Sequence, residues 1–271
     1  MEKASYVPLW CETNYTFLEG ASFPEEEVER ALELGLPALG IADRDGVYGI
    51  ARAHVAAKEH PLHLIIGSLI TLEDGSSILL YAQTRSGYAN LCSLISRGRL
   101  RSPKGSSSVS WKELEELSRD QIAILPRQGE IFFDKSRLGR LAGLFGDRLY
   151  IGVSRHQEAE ELSREQELFA LSEEHAVPLV ALPRILYHEP GRRRLQDVVT
   201  AIRLGVTLES AGTLLLPNDR FALPTSEEMI DRYADVPELL ARTHEIAERC
   251  SFSLSEIVYR YPSERLRKGY T

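Results

Sequence analysis

Three carboxylates stand directly after short apolar runs: Glu12 after Tyr6–Trp10, and Asp43 and Asp45 after Ala38–Ala42. Oxygens gathered at such strand ends can hold a hard cation or move protons. The same residues also suit plainer work, because an aspartate after a strand commonly caps the next helix, here near Val47. The seven histidines include no H-x-H and no H-E-x-x-H pair, so no local metal signature exists. His188 is the one histidine near the proper strand ends, and a single imidazole without partners cannot hold a metal. Cys11, Cys92 and Cys250 are far apart and form no C-x-x-C pair, which argues against a disulfide framework or thiolate zinc site and fits a reducing cytoplasm. A nucleophile elbow, a phosphate-cradling P-loop and a dinucleotide fingerprint are all missing.

Basic residues gather in two places, Arg97, Arg99, Arg101 and Lys104 in one and Arg192 to Arg194 in the other. The first set is the candidate DNA-binding stripe. The formal net charge of −8 excludes a surface coated in nucleic acid throughout and predicts weak, salt-sensitive DNA binding at most.

The elements that must position these groups follow an alternating pattern. Brief runs rich in Leu, Ile, Val and Ala lie at Tyr6–Trp10, Ala38–Ala42, Leu62–Ile66, Ile78–Ala82, Gln121–Leu125, Leu149–Val153 and Leu179–Leu182. They lack polar alternation, as strands covered on both faces do. Amphipathic stretches separate most of them. Ser22–Glu25, Ser110–Glu113 and Thr225–Glu228 have the spacing of capping boxes, and Gly35 is a natural helix stop. A long helix is predicted from Gln157 to about His175, with Leu162, Phe169 and Leu171 on its apolar face. Repeated strand–helix units predict parallel strands and an α/β fold, a distorted β/α barrel of roughly seven strands. After about Leu215 two helices, Ser226–Tyr233 and Val236–Cys250, follow without a strand between them, and Arg260–Lys268 reads as a polar tail. The expected division is residues 1–212 for the barrel and 213–271 for a helical extension. With 43% hydrophobic and 27% charged residues, the chain has the balance of a soluble globular protein. No apolar run approaches the roughly 20 residues that span a bilayer, and the N-terminus has no signal-peptide layout.

Several stretches carry a resemblance. Asn14-Tyr-Thr-Phe-Leu-Glu-Gly20 is similar to the S-x-Y-S-x-L-D-G segment that opens the PHP domains of bacterial DNA polymerase III alpha-class polymerases. Ala31 to Asp43 resembles their A-x-x-x-G-x-x-A stretch ending in T-D, and Ile65-Ile-Gly67 and Gly87-Tyr-Ala-Asn-Leu91 match two further landmarks. Ser226–Met229, Thr243–Cys250 and Phe252–Glu256 resemble the segment joining that domain to the polymerase palm. Thr13–Leu18, Ala53–Lys58 and the Arg97–Arg99 region look most like the error-prone, damage-tolerant branch. The resemblance runs in order over nearly the whole chain.

It implies a PHP-like, TIM-barrel-related fold and a site of several metals, and there the sequence departs from the family. The opening H-x-H pair reads Trp10 and Glu12. Asp43 keeps the aspartate of T-D-H while Arg44 replaces its histidine. Leu69 stands for a glutamate, Ser77 for a histidine, and Arg184 and Leu186 for the late D-x-H pair. Two arginines there would repel cations and could pair with Glu12 and Asp43. The expectation is a scaffold domain without activity or cofactor of its own, with loose magnesium at Glu12 and Asp43 at most. Its partners would be the polymerase core of the same parent chain, lying beyond Thr271, DNA through the holoenzyme, and other replication or repair subunits, with no membrane. Two rivals remain: a divalent-metal phosphoesterase or 3'-5' proofreading exonuclease using the surviving carboxylates, and a free-standing adaptor for repair proteins.

Overall fold

The computed structural model describes residues 5–126, 135–159 and 161–258. Eight strands form one sheet: β1 (Trp10–Cys11), β2 (Ala38–Arg44), β3 (His63–Thr71), β4 (Ser77–Ala82), β5 (Gln121–Leu125), β6 (Leu149–Val153), β7 (Leu179–Ala181) and β8 (Arg184–Ile185). Among the described residues the helices are α1 (Pro24–Glu33), α2 (Ile50–Ala57), α3 (Arg85–Arg101), α4 (Trp111–Leu117), α5 (Lys135–Phe145), α6 (Glu161–His175), α7 (Arg193–Leu204), α8 (Leu208–Ala211), α9 (Ser226–Arg232) and α10 (Glu238–Arg249).

The strand order is β7-β6-β5-β4-β3-β2-β1-β8. Ala181 and Arg184, at opposite edges of that order, are three residues apart in sequence. Three steps of extended chain reach about 11 Å, so the sheet has to roll until its edges nearly meet. The α/β barrel expectation holds, with an eighth strand contributed by Arg184–Ile185. One strand runs against the expected parallel arrangement: β4 is antiparallel to both β3 and β5. The five residues from Leu72 to Ser76 between β3 and β4 leave no room for a crossover helix, so the chain can only turn back.

Alternation along the strands sorts the core into two layers. Ile65 and Leu69 of β3, Leu79 and Tyr81 of β4, Ile122 and Ile124 of β5 and Tyr150 of β6 belong to the inner cluster. Their neighbours Leu64, Ile66, Ile78, Leu80, Ala123, Leu125, Leu149 and Ile151 join the outer layer under the helices. Gly67 makes the interior possible: a Cβ there would lie 2.5 Å from the Tyr81 ring. Tyr81, fully buried, donates its hydroxyl to the Leu9 carbonyl at 2.7 Å.

At the end where the parallel strands begin, α10 is the floor. Its Ile246 and Ala247, with the adjoining Cys250, are members of the inner cluster. The Val7 amide donates to Thr243 Oγ1 at 2.9 Å, and His63 Nε2 lies 2.8 Å from the Cys250 carbonyl.

Two capping boxes form as expected: Glu113 and Glu228 each accept from the N-cap amide, of Ser110 at 3.0 Å and Thr225 at 2.8 Å. The first is shifted by one residue. Phe23 is the N-cap of α1 and its amide donates to Glu26 at 2.8 Å, while Ser22 Oγ faces His188 Nδ1 at 2.7 Å. Gly35 takes the left-handed conformation (φ +66°) just past α1. On α6, Leu168 is buried and Phe169 and Leu171 pack against the outer core, but Leu162 is 78% exposed. The Arg260–Lys268 tail lies outside the described residues. No helix among the described residues is long and apolar enough to cross a membrane.

Candidate functional site

Opposite the floor, the ends of β1, β2, β3 and β8 and the start of β4 form a rim. Because Trp10, Ala42 and Leu69 are inner-cluster residues, alternation places Glu12 and Arg44 on the inward side as well. Ile185 belongs to the outer layer, which turns its neighbour Arg184 inward. The hydrogen bonds agree with this parity. Arg184 Nε donates to Glu12 Oε2 at 2.9 Å, and its Nη2 is shared between Glu12 and Glu19. Arg44 donates to both oxygens of Glu19, at 3.2 and 3.3 Å. The Arg184 guanidinium also lies 5.4 Å from the centre of the Trp10 ring. Among the described residues, two arginines and two carboxylates therefore form a mostly buried set across the mouth of the barrel.

Burial works against ionisation of both acids, with different outcomes. Glu12 is wholly buried, and desolvation raises its pKa despite the Arg184 charge. Glu19 is less enclosed and faces both guanidiniums, which outweigh desolvation and hold it down to about 2. Glu19 was missed in the sequence because it follows no strand. The turn from Thr13 to Gly20 delivers it, with Leu18 left-handed at φ +62° and the Gly20 amide donating to the Thr16 carbonyl at 3.1 Å. Only glycine fits at position 20, since a Cβ would lie 2.1 Å from the Thr13 carbonyl oxygen. Glu19 occupies the place of the aspartate in the L-D-G motif, and that was the available signal.

Asp43 does not join this cluster, and the expected pairing of the arginines with it is not formed. It is one residue from Arg44 and therefore on the outer side of β2. Its Oδ1 accepts from the Thr13 amide at 2.7 Å and from Thr16 Oγ1 at 2.9 Å, and Thr13 Oγ1 lies 2.9 Å from its Oδ2. Burial raises its pKa to about 6, with these hydrogen bonds pulling the other way. Nor do Asp43 and Asp45 cap a helix. The N-cap of α2 is Gly49, and Asp45 accepts from Thr71 through its amide and its hydroxyl, both at 2.8 Å.

The other expected positions scatter. Ser77 opens β4 opposite Thr71 at the same end of the barrel. Leu186 lies in a separate small cluster with Ala21, Tyr187, Phe221 and Ala222. His188 is half-buried, 3.9 Å from both Glu26 and Glu189. The DNA-binding candidates are largely engaged within the chain. Arg97 pairs with Glu116 at 2.9 Å, Arg101 pairs with Glu113, and Arg99 donates to the Asp45 carbonyl at 3.0 Å. Lys104 is exposed in the loop beyond α3.

Residues 9–171, which include all of the rim but Arg184, match the PHP domain. The chain belongs to that family. Error-prone DNA polymerase 1 of Agrobacterium fabrum is 39% identical over 100% of this chain and 25% of its own length. The error-prone DNA polymerase of Pseudomonas aeruginosa is 38% identical over 98% of this chain and 25% of its own. The PHP chain thus spans about a quarter of the length of the curated relatives it matches. Among solved structures, an amidohydrolase from Chromobacterium violaceum aligns with a TM-score of 0.47 at 14% identity, covering 67% of this chain and 88% of that one.

The donor set of this PHP rim does not suit the metals that the family resemblance implies. Guanidiniums of Arg44 and Arg184 occupy the carboxylates that would bind cations, and Trp10 and Leu69 offer no ligand there. Elsewhere among the described residues, donor atoms of His156, Glu158 and Glu161 lie within 4.8 Å of one another. These have protein partners already. His156 Nε2 is 3.1 Å from the Arg184 carbonyl, Glu161 accepts from the amides of His156 and Gln157, and Glu158 is 3.9 Å from Arg164. Burial lowers the His156 pKa to about 4, so its ring is neutral at pH 7.

Proposed function

We propose that this chain is the N-terminal PHP domain of an error-prone DNA polymerase and serves it as a scaffold, without catalysis of its own. The supporting observation is the Glu12–Arg184–Glu19–Arg44 cluster, which fills the mouth where ligands of the family's metals would stand. In this reading residues 1–212 are the barrel and 213–271 the extension leading to the polymerase palm, where nucleotidyl transfer would take place. DNA is met through the assembled polymerase in the cytoplasm, alongside other replication or repair subunits. Magnesium is held loosely if at all.

The test combines elemental analysis of the purified protein with hydrolysis of a chromogenic phosphodiester in added manganese. The expected outcome is substoichiometric transition metal and no turnover above buffer. Stoichiometric metal together with turnover abolished by Glu12→Gln would overturn the scaffold reading in favour of a phosphoesterase.

A further inference from the structure

Helix α7 is inside out. Its buried residues are Gln196, Thr200 and Ala201, while Leu195, Val198 and Ile202 are 41%, 37% and 60% exposed. Positions i, i+3 and i+7 form one stripe along a helix, and an amphipathic helix on a finished surface turns that stripe inward. Single exposed apolar residues are ordinary, but an ordered row of them marks a contact. The underside of α7 is correspondingly polar. Gln196 Nε2 donates to Thr200 Oγ1 at 2.9 Å, and Gln196 Oε1, Asp197 Oδ1 and Tyr187 OH are buried without a hydrogen-bond partner. Leu208 of α8 and Leu214 just beyond it are also exposed, at 47% and 56%.

The charges beside the stripe bear on its occupant. Arg194 and Arg203 lie on either side of it, and both are exposed. Among the described residues neither makes an ion pair, whereas Arg192 is paired with Glu26 and Arg193 approaches Asp197 at 4.0 Å. A second copy of the same face would bring these arginines against each other. A helix with an apolar face and acidic margins would satisfy both the stripe and its flanks. Three quarters of the length of the relatives lies outside the matched region, ample sequence to supply one.

We infer that the Leu195–Val198–Ile202 face of α7 docks an acid-rimmed amphipathic helix of the same polypeptide, C-terminal to residue 271. This rests on the reading of the chain as the front of a longer polymerase. Hydroxyl-radical footprinting of the full gene product and of the 271-residue chain tests it. Oxidation at Leu195, Val198 and Ile202 is expected to fall severalfold in the longer protein, with exposed Val55 as the unchanged reference. Ile202→Glu should restore oxidation at Leu195 in the longer protein and leave the melting temperature of the 271-residue chain unaltered, because the position is exposed. Equal oxidation in both forms would overturn the docking inference alone. Protection in the 271-residue chain that is lost on dilution, with a dimer mass by light scattering, would overturn it in favour of self-association. A reading frame that stops at residue 271 would instead defeat the polymerase reading, and the inference with it.

Discussion

Arg44 and Asp43 are neighbours on β2, yet they enter two regions that handle buried charge in opposite ways. Inward, Arg44 belongs to a set in which each acid meets a guanidinium. Outward, Asp43 meets threonine hydroxyls and an amide, and close to it lies Glu27 of α1, which is fully buried. Burial, then the nearby Glu26 and Asp43 charges, push the Glu27 carboxyl up to about 8. The inner acids meet countercharge, whereas the outer ones have hydrogen-bond donors at Asp43 and a retained proton at Glu27. Glu19 on the inner side and Glu27 and Asp43 on the outer side therefore answer to pH with opposite sign. Glu19, held down to about 2, contributes stability that is complete above its unfolded value of 4.5 and is lost as pH falls toward 2. Glu27 and Asp43, both raised, favour the folded state at low pH and cost stability as pH rises through their folded values.

The harshest way to break the comparison is to remove the countercharge. Arg184→Leu leaves Glu12 buried and unpaired, and the expected loss is about 3–5 kcal/mol in urea unfolding at pH 7. Adding Glu12→Gln should recover much of it; a double variant as unstable as the single one would show that Arg184 matters by packing on Trp10 instead. Next in size is the proton-neutralised side. Between pH 5 and pH 8 the Glu27 carboxyl should cost the wild type on the order of 3 kcal/mol. Glu27→Gln, which has no proton to lose, should be stabilised relative to wild type at pH 8 more than at pH 5. Equal pH slopes in both proteins would remove Glu27 from the account. Smallest is Asp43→Ala, which strands the donors of Thr13 and Thr16 for about 2 kcal/mol. Asp43→Asn should lose less, since the amide oxygen still accepts, and an equal loss would mean that the full carboxylate is required.

The sequence shows why the fold was more legible than the site. Runs such as Gln121–Leu125 and Leu149–Val153 announce strands through composition, and the structure keeps those bounds. Composition has no direction, so Ile78–Ala82 reads the same whether β4 runs with its neighbours or against them. Arg184–Ile185 is too short to show a pattern at all. At the rim, the deciding fact is parity: Ala38, Gly40 and Ala42 are small where Leu39 and Ile41 are large. That contrast already separates the crowded interior from the roomier helix layer and places Arg44, not Asp43, inside. Glu19 was beyond any strand-based rule, because a turn with one left-handed leucine aims it.

The floor of the barrel has a consequence in time. Thr243 and Cys250 bind Val7 and His63, so groups separated by most of the chain must meet before the interior is sealed. Contacts of such long sequence separation slow folding, because the loop has to be closed before the contact rewards it. During synthesis the strands emerge long before their floor does. A nascent chain halted ahead of α10 would hold Leu9, Ala38 and Tyr81 around an open end, and its last folding event belongs to a helix that contributes nothing to the mouth on the other side.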